Sequence, residues 1–316
     1  MEKLKLEDAV ESFQSILSNL KQNDVEQFLL WTKDTVNGLL DDMTQDDNSD
    51  VVLKSIREDI RKSLPVEAMT STENIITPKT GPNADCDPNS TVHVDAFLYD
   101  EDTIDDLVDD GKMSRNYCVQ CLSKQVKPLT FITHSASMTQ MKYIFQCLLQ
   151  DLRNKTVLDV GSRTGALLYS AYLYSEAKTI IGVELDPTFC ELQSNLIEKY
   201  NMSDRIKIVP GDILAQTELL QTSDVIIFNN VFEFFVAFEQ QQKIWEFLIQ
   251  TIRKKDTILV TIPSIEESLS SLQASFCIDT WLKKVNISEL KDMAVLKYFK
   301  DSSDSDIDDI HLYQVI

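Results

Sequence analysis

The sequence is short of positive charge, and this shortage limits the partners that it can bind. Its 316 residues carry 51 aspartates and glutamates against 30 lysines and arginines, a net charge of −21. Such a chain repels phosphate backbones unless basic side chains are gathered in a groove. No cluster of lysine and arginine with interleaved aromatic residues occurs. The composition therefore favours a basic partner, or simply good solubility, and disfavours a nucleic-acid partner.

Long apolar runs and regular cysteine spacing are also missing. No apolar stretch reaches 18 residues, so the sequence predicts no membrane-spanning helix. The first seven residues are charged and helical in character, which predicts no secretory leader. Six cysteines at irregular spacing do not indicate a disulfide framework. We therefore expect a reducing compartment: the cytoplasm, the nucleus or both.

Glycine is scarce as well, and the positions of the seven glycines are informative. Gly161 and Gly165 follow directly on residues 156–160, an apolar, β-branched run that predicts a buried parallel strand. A good helix pattern begins after Gly165. The order of strand, glycine turn and helix lets the backbone approach a ligand closely and points helix N–H groups at it. Glu184 ends the next apolar run, where an acid is placed to accept hydrogen bonds from two ribose hydroxyls.

With these motifs, residues 137–316 resemble the class I S-adenosylmethionine-dependent methyltransferases. Residues 158–165, Leu-Asp-Val-Gly-Ser-Arg-Thr-Gly, look like the first motif of that family, and Glu184 falls where its ribose-binding acid falls. Residues 209–213 look like the next motif, whose aspartate meets the adenine amino group. The resemblance implies S-adenosylmethionine as the cofactor and assigns its contacts to Asp159, Gly161, Ser162, Gly165, Glu184, Asp212 and Ile213. Gln140 and Ser137, on the preceding helix, are expected near the methionine portion; alternatively, Ser137 only caps that helix.

One position departs from the family pattern. The usual middle glycine of the first motif is Arg163 here. Its side chain is expected to turn outward, since it would otherwise crowd the methionine end of the cofactor.

The substrate-side residues follow the fourth predicted strand. Asn229 and Asn230 come directly after the apolar run that ends at Phe228, where the methyl group should emerge. An amide oxygen there accepts an N–H from an amine, whereas the structural alternative is turn chemistry at a strand end. Phe232 is expected to wall the substrate channel, and Glu233 to remove a proton. The stretch differs from the Asp/Asn-Pro-Pro-Tyr motif of enzymes that methylate adenine or glutamine, and it is faintly similar to the Asn-Asn-Phe motif of the non-SET histone-lysine methyltransferases.

Two further regions precede this domain. Apolar residues recur at helical spacing in three stretches, so residues 1–65 are predicted to form a helical bundle or cap. Residues 66–134 are predicted to be a linker and a small subdomain, in which residues 95–110 form an acidic helix with one buried face. That acidic face is either solvated or a dock for a basic peptide. The three histidines are scattered along the chain and predict no catalytic triad.

Cys118 and Cys121 form a Cys-x-x-Cys pair that is able to grip one zinc ion. A complete site needs two more ligands, and the nearby candidates, Cys86, His93 and His134, are irregularly spaced. The alternative is a pair of cysteines that bind no metal. A structural zinc site is therefore one of two open predictions.

The predicted fold is α/β: a doubly wound, mostly parallel seven-stranded sheet with an antiparallel last strand, in residues 135–316, after an N-terminal helical region. Residues 294–299 and 311–316 are predicted to form a terminal strand pair. The leading functional hypothesis is a methyltransferase that acts on a protein nitrogen, lysine being one candidate, with a basic protein as its substrate. The alternatives are methylation of RNA or of a small molecule, and a non-catalytic scaffold with the same fold that binds a basic partner.

Overall fold

The chain forms two compact units, residues 1–47 and residues 48–316, in a computed structural model. The structure describes residues 6–21, 25, 28–33, 48–66, 68–70, 72–73, 75–79, 81, 83–84, 86–87, 91–118, 126–149, 151–272, 277–298 and 307–316. The first unit contains helix α1 (Leu6–Asn19), which confirms the first predicted helix. Much of the second predicted helix lies outside the described residues.

The third predicted helix, α2 (Asn48–Ser63), belongs to the second unit. Leu53, Ile56 and Ile60 are fully buried in the core of that unit. The prediction grouped this helix with the two preceding ones as a bundle or cap, whereas here it packs in the core of residues 48–316. An amphipathic stripe predicts that a face is buried but does not identify the element that covers it.

Between residues 91 and 133, the described residues form four short strands and a helix ahead of the main sheet. Strand β1 (Thr91–Val94) pairs in parallel with β4 (Thr130–Thr133), and β2 (Asn116–Cys118) pairs antiparallel with β3 (Val126–Pro128). Helix α3 (Glu101–Asp109) is the predicted acidic helix. Asp100 caps its N-terminus and Ile104 is buried on its inner face, as predicted for a helix with one buried face.

The remaining strands form the main sheet, and helices connect them. The strands are β5 (Thr156–Val160), β6 (Thr179–Glu184), β7 (Ile206–Pro210), β8 (Val225–Asn229), β9 (Ile258–Ile262), β10 (Leu282–Lys284) and β11 (His311–Val315). The helices are α4 (Met138–Lys142), which continues as a π-helix (Tyr143–Leu148), α5 (Ala166–Tyr174), α6 (Pro187–Lys199), α7 (Thr217–Thr222), α8 (Phe238–Thr251), α9 (Ile265–Ser271) and α10 (Ser288–Tyr298). Single 3₁₀ turns span Ile213–Ala215 and Ile278–Thr280.

The spatial order of the strands is β10-β11-β9-β8-β5-β6-β7. Strands β7, β6, β5, β8 and β9 run parallel, and β11 is antiparallel to both of its neighbours. The predicted doubly wound sheet with an antiparallel last strand is confirmed. Both faces of the sheet are covered, because Val157 packs in one apolar core and its neighbour Leu158 in the other.

The terminal strand pair was predicted wrongly. Residues 294–298 lie in helix α10, and β11 pairs instead with β9 and with β10, a strand that was not predicted. Ala294 is fully buried, and Leu290 and Val295 also pack against the core. Leu290 and Ala294 are four positions apart and therefore lie on the same face of the helix. A short apolar run of this kind also fits a strand, so the sequence pattern alone does not distinguish the two. Among the described helices, none is both long and apolar enough to cross a bilayer.

Candidate active site

The main cavity lies at the carboxyl ends of the parallel strands. Its volume is about 550 Å³, within the range of roughly 300–1,000 Å³ that is usual for small-molecule sites. Ligands of open α/β sheets bind at this edge, next to the point where the strand order reverses. Seven of the predicted cofactor-binding and catalytic residues line the cavity: Gly161, Glu184, Asp212, Ile213, Asn229, Asn230 and Phe232.

The glycine turn after β5 presents bare backbone to the cavity. Gly161 has φ +74°, and a Cβ added there would lie 2.3 Å from Cγ2 of Val231. The main-chain N–H groups of Gly161 and Ser162 both donate to the carbonyl of Val183 on β6. This position therefore requires glycine for its backbone angle and for lack of space.

Helix α6 supports the turn from behind. The hydroxyl of Ser162 donates to Oε1 of Gln193 at 2.8 Å, and Nε2 of Gln193 donates to the carbonyl of Arg163 at 2.7 Å. Gly165 has φ +82° and begins α5, packed against the Tyr169 ring. Ser162 and Gly165 are thus structural parts of the turn and do not line the described cavity.

Glu184 ends β6 with its carboxylate held by main-chain donors. Oε2 accepts from the N–H of Arg163 at 2.7 Å, and Oε1 accepts from the N–H of Asp186 at 2.8 Å. Burial raises the pKa of Glu184, while these N–H donors oppose the rise because they favour the ionised form. The carboxylate is oriented before any ligand arrives. Asp186 caps α6, and Pro187 is its first residue.

Asp159 lies beneath the turn, away from the cavity lining. Burial, and after it the nearby charge of Glu184, raises the pKa of Asp159 to about 8. Its side chain is therefore mostly protonated at neutral pH. A protonated carboxyl is able to donate as well as accept a hydrogen bond.

Asp212 and Ile213 follow β7 along the same edge. Oδ1 of Asp212 accepts from the N–H of Leu214 at 2.9 Å and caps a 3₁₀ turn. Ile213 is buried against the sheet and contributes an apolar wall to the cavity. An exposed carboxylate beside an apolar side chain is the combination that the resemblance assigns to the adenine end.

Arg163 turns inward, contrary to expectation. Its side chain is 8% exposed and lies between two carboxylates, with Nε 3.0 Å from Oε1 of Glu73 and Nη1 3.0 Å from Oδ2 of Asp95. Nη2 donates to the carbonyl of Ala68 at 2.7 Å, and the guanidinium stacks on the Phe189 ring. The side chain thus occupies a buried ion-pair site, and Arg163 also borders the cavity.

The substrate side contains two consecutive asparagines. Asn229 is paired with Ile262 at the end of β8, and the N–H of Asn230 donates to the Ile262 carbonyl at 2.6 Å. Asn230 has φ +47°, which asparagine tolerates well, so the turn interpretation is met at this position. Its buried Oδ1 has no partner among the described residues. Phe232 is buried against Trp245 and Phe228 and forms a wall of the cavity.

Glu233 points away from these residues. Both of its carboxylate oxygens lie 3.2 Å from Nδ2 of Asn83. It lines a separate cavity of about 100 Å³ with Lys79. The structure does not bring Glu233 together with Asn229, although they are four positions apart in the chain.

Two of the histidines that are scattered in the sequence are brought together. Nδ1 of His93 lies 2.7 Å from Nε2 of His134, and the nearly parallel rings have centroids 4.8 Å apart, as in an edge-to-edge hydrogen bond. Burial, and after it the positive charge of Arg163, lowers the pKa of His134 to about 2. His134 lines the cavity as a neutral side chain packed against Phe234 and Phe235.

Gln140 belongs to a capping box. The hydroxyl of Ser137 accepts from the N–H of Gln140, and Oε1 of Gln140 accepts from the N–H of Ser137 at 2.9 Å. The N-cap interpretation of Ser137 is confirmed. Gln140 does not line the described cavity.

The zinc prediction gains no support. Cys121 lies outside the described residues, as does the side chain of Cys118. Of the candidate zinc ligands, His93 and His134 are hydrogen-bonded to each other. Over the described ranges, no group of three or more possible metal ligands occurs.

Residues 151–300 match the family model described as "Methyltransferase domain". The match covers 150 of the 316 residues, just under half of the chain. A curated relative, the histone-arginine methyltransferase CARMER of Anopheles gambiae, is 28% identical over 160 residues. Those residues are 48% of this chain and only 25% of the relative, so the chain spans about a quarter of that protein. The likeness to histone-lysine enzymes is not confirmed, because this relative is named for arginine.

Solved structures of methyltransferases show partial likeness to the chain. An O-methyltransferase of Bacillus cereus in complex with SAH has a TM-score of 0.39 at 14% identity, over 58% of this chain and 83% of that one. The putative methyltransferase yhhF of Escherichia coli has a TM-score of 0.39 at 11% identity, over 57% of this chain and 87% of that one. The fold assignment of this region depends on the strand order β10-β11-β9-β8-β5-β6-β7.

Three residues of the site were missed in the sequence. Glu73 lies in a region predicted to be a linker, Asp95 begins the stretch predicted to be an acidic helix with a solvated or peptide-binding face, and Asp186 was given no role in the site. Asp95 is in fact fully buried, and all three interact around the glycine turn and α6. The one signal for Glu73 and Asp95 was Arg163, because a buried guanidinium requires carboxylate partners.

Proposed function

We propose that this chain is an S-adenosylmethionine-dependent methyltransferase that methylates a side-chain nitrogen of a basic protein. The observation that carries the proposal is one cavity lined by the glycine turn, two carboxylates and an asparagine at four successive strand ends. Gly161, Glu184 and Asp212 lie along one side, and Asn229 lies beyond them. The methyltransferase domain match supports the reaction class.

The residues present fit the cofactor. Backbone alone faces the cavity at Gly161, where a side chain has no space, and a buried Asn230 oxygen is left for a ligand to satisfy. Glu184 would hold the ribose and Asp212 the adenine end. When bound, S-adenosylmethionine supplies a methyl group activated by a positively charged sulfur.

The charge of the cavity supports a cationic substrate. Its described lining carries four carboxylates, Glu73, Glu184, Asp186 and Asp212, against one guanidinium, that of Arg163. His134 is neutral because its pKa is low. A cleft with an excess of one sign of charge attracts the opposite sign. Both a sulfonium cofactor and a lysine or arginine side chain meet this condition, and the net charge of −21 extends the same preference to the whole protein.

Asn229 is placed to orient the acceptor. Its main chain is fixed by pairing with β9, so its side chain is presented from a rigid strand end. An amide oxygen that accepts an N–H from the incoming amine would aim the nitrogen lone pair into the cavity. Phe232 and Phe235 exclude water from this side.

The test is an array of basic peptides, RNA and small-molecule amines with a methyl-labelled donor. The proposal predicts label on peptides, and matched lysine and arginine peptides identify the nitrogen. Label only on RNA would favour the alternative substrate class. Cofactor binding by calorimetry without label on any acceptor class would favour the scaffold, while no cofactor binding would overturn the assignment of the site.

A further inference from the structure

Arg163 connects the glycine turn to a distant part of the chain. We call the described residues between 68 and 76 the strap: Ala68, Met69, Thr70, Thr72, Glu73, Ile75 and Ile76. The guanidinium of Arg163 bonds to the strap twice, at the carbonyl of Ala68 (2.7 Å) and at Oε1 of Glu73 (3.0 Å). Oε2 of Glu73 accepts from the N–H of Thr70 at 2.8 Å, a hydrogen bond within the strap that fixes its local conformation.

The strap is attached on both sides of the main cavity. The hydroxyls of Thr70 and Thr72 both donate to Oδ2 of Asp186, the former at 2.9 Å. At the other end, the N–H of Ile76 donates to the carbonyl of Phe234 at 2.7 Å. The strap therefore crosses from the ribose side, beside Glu184, to the substrate side. Three of its side chains line the cavity: Thr72, Glu73 and Ile76.

The backbone conformation of Arg163 indicates that its side chain has a structural or functional role. Its φ is +45°, an angle at which glycine is more favourable, yet arginine occupies the position. The ion pairs with Glu73 and Asp95 are almost completely buried. Removing one member of a buried pair leaves an uncompensated charge, so these three groups depend on one another.

We propose that Arg163 is a positioning residue that makes the strap one wall of the cofactor site. Its guanidinium holds Glu73, while its main-chain N–H holds Oε2 of Glu184, the acid assigned to the ribose. Displacing the strap therefore disturbs the turn that orients Glu184. This inference rests on the proposed cofactor, and it extends the site to a segment that precedes the methyltransferase domain.

The experiment measures the affinity and dissociation rate of S-adenosylmethionine in the full chain. Glu73→Gln keeps the size of the side chain and removes its charge, and Arg163→Lys keeps the charge and removes the forked geometry. Each is expected to raise Kd at least fivefold, mainly through faster dissociation, because the strap is held less firmly. The double variant is expected to be less impaired than the product of the two single effects, since both remove the same link. Hydrogen exchange at the Ile76 amide should become faster in each variant without cofactor.

Glu58→Gln is the matched control, because Glu58 makes an exposed ion pair with Arg61, 2.8 Å apart, on α2. It should leave Kd and Ile76 exchange unchanged. The proposed role of the strap would be overturned if Glu73→Gln had the Kd of the wild type and the wild-type rate of hydrogen exchange at Ile76. This outcome decides the question even if Arg163→Lys fails to fold. Absence of cofactor binding by the wild-type chain would instead overturn the proposed function, so the two failures are distinguishable.

Discussion

The main-chain N–H of Arg163 donates to Oε2 of Glu184 at 2.7 Å. The residue that replaces the usual glycine of the first motif therefore also orients the carboxylate assigned to the ribose. Two motifs that lie 21 positions apart in the chain are joined by one hydrogen bond. The site is rigid at this point because Gln193 holds the carbonyl of Arg163 from the other side.

Glu184→Ala should weaken cofactor binding. The variant loses hydrogen bonds to a charged acceptor, which are worth about 1.5–3 kcal/mol. This corresponds to a roughly 10- to 150-fold rise in Kd by calorimetry. Glu191→Ala, at an exposed position of α6, is the control and should bind normally. Unchanged affinity in folded Glu184→Ala would mean that another residue holds the ribose.

Gly161→Ala should harm both folding and cofactor binding. The new Cβ would lie 2.3 Å from Val231 at a φ of +74°. Gly111→Ala is a matched control, because Gly111 has φ +70° with nothing within 4 Å of the added atom. Denaturant unfolding should show the backbone cost in both variants and an additional loss of about 1–3 kcal/mol from overpacking at residue 161 alone. Equal losses, with normal cofactor affinity, would contradict the close approach at this turn.

Asn229→Ala should reduce turnover while leaving cofactor affinity within a few fold. An oriented hydrogen bond at the reacting centre acts in the transition state, so kcat should fall by roughly 10²-fold. Asn230→Gly is the comparison, since glycine keeps the φ of +47° while it removes the neighbouring amide. A larger fall in kcat for Asn230→Gly would move the orienting role to that residue. Loss of cofactor binding in Asn229→Ala would place Asn229 in the cofactor pocket.

Asp159 should make the protein less stable as pH rises. Its pKa is about 8 in the folded chain because of burial and the charge of Glu184, against roughly 3.9 when unfolded. Between these two pKa values, Asp159 keeps a proton in the folded chain that it loses in the unfolded chain. Its contribution to the free energy of unfolding is therefore complete below about pH 4 and is lost as pH rises toward 8.

Asp159→Asn removes this titration. Relative to that variant, the wild type should lose up to about 1.4 kcal/mol of unfolding free energy per pH unit between pH 6 and pH 7.5. Urea unfolding of both proteins at several pH values measures the difference, since His93 and His134 contribute equally to both. Parallel pH profiles would mean that Asp159 is ionised in the folded chain.

Strands β5, β6 and β8 were predictable because each is an almost entirely buried apolar run that ends at a polar residue or a glycine. Val157 and Leu158 illustrate this, since they pack on opposite faces of the sheet. The residues at those strand ends also lie where the motifs placed them, as Glu184 and Asn229 do in the cavity. The segment from residue 294 was mistaken because short apolar runs fit a helix and a strand alike.

The local sequence pattern by itself thus determined the parallel strands, the glycine turn and the strand-end residues. Strands, turns and caps depend on residues within a few positions of one another. Only the tertiary structure decided that Arg163 faces inward, that Glu233 leaves the site and that His93 meets His134. Arg163 pairs with Glu73 and Asp95, which are 90 and 68 positions away in the chain. Such contacts depend on which segments the fold brings together, and the periodicity of apolar residues along the chain does not predict them. The buried charge of Arg163 is compensated only because folding brings both carboxylates to it.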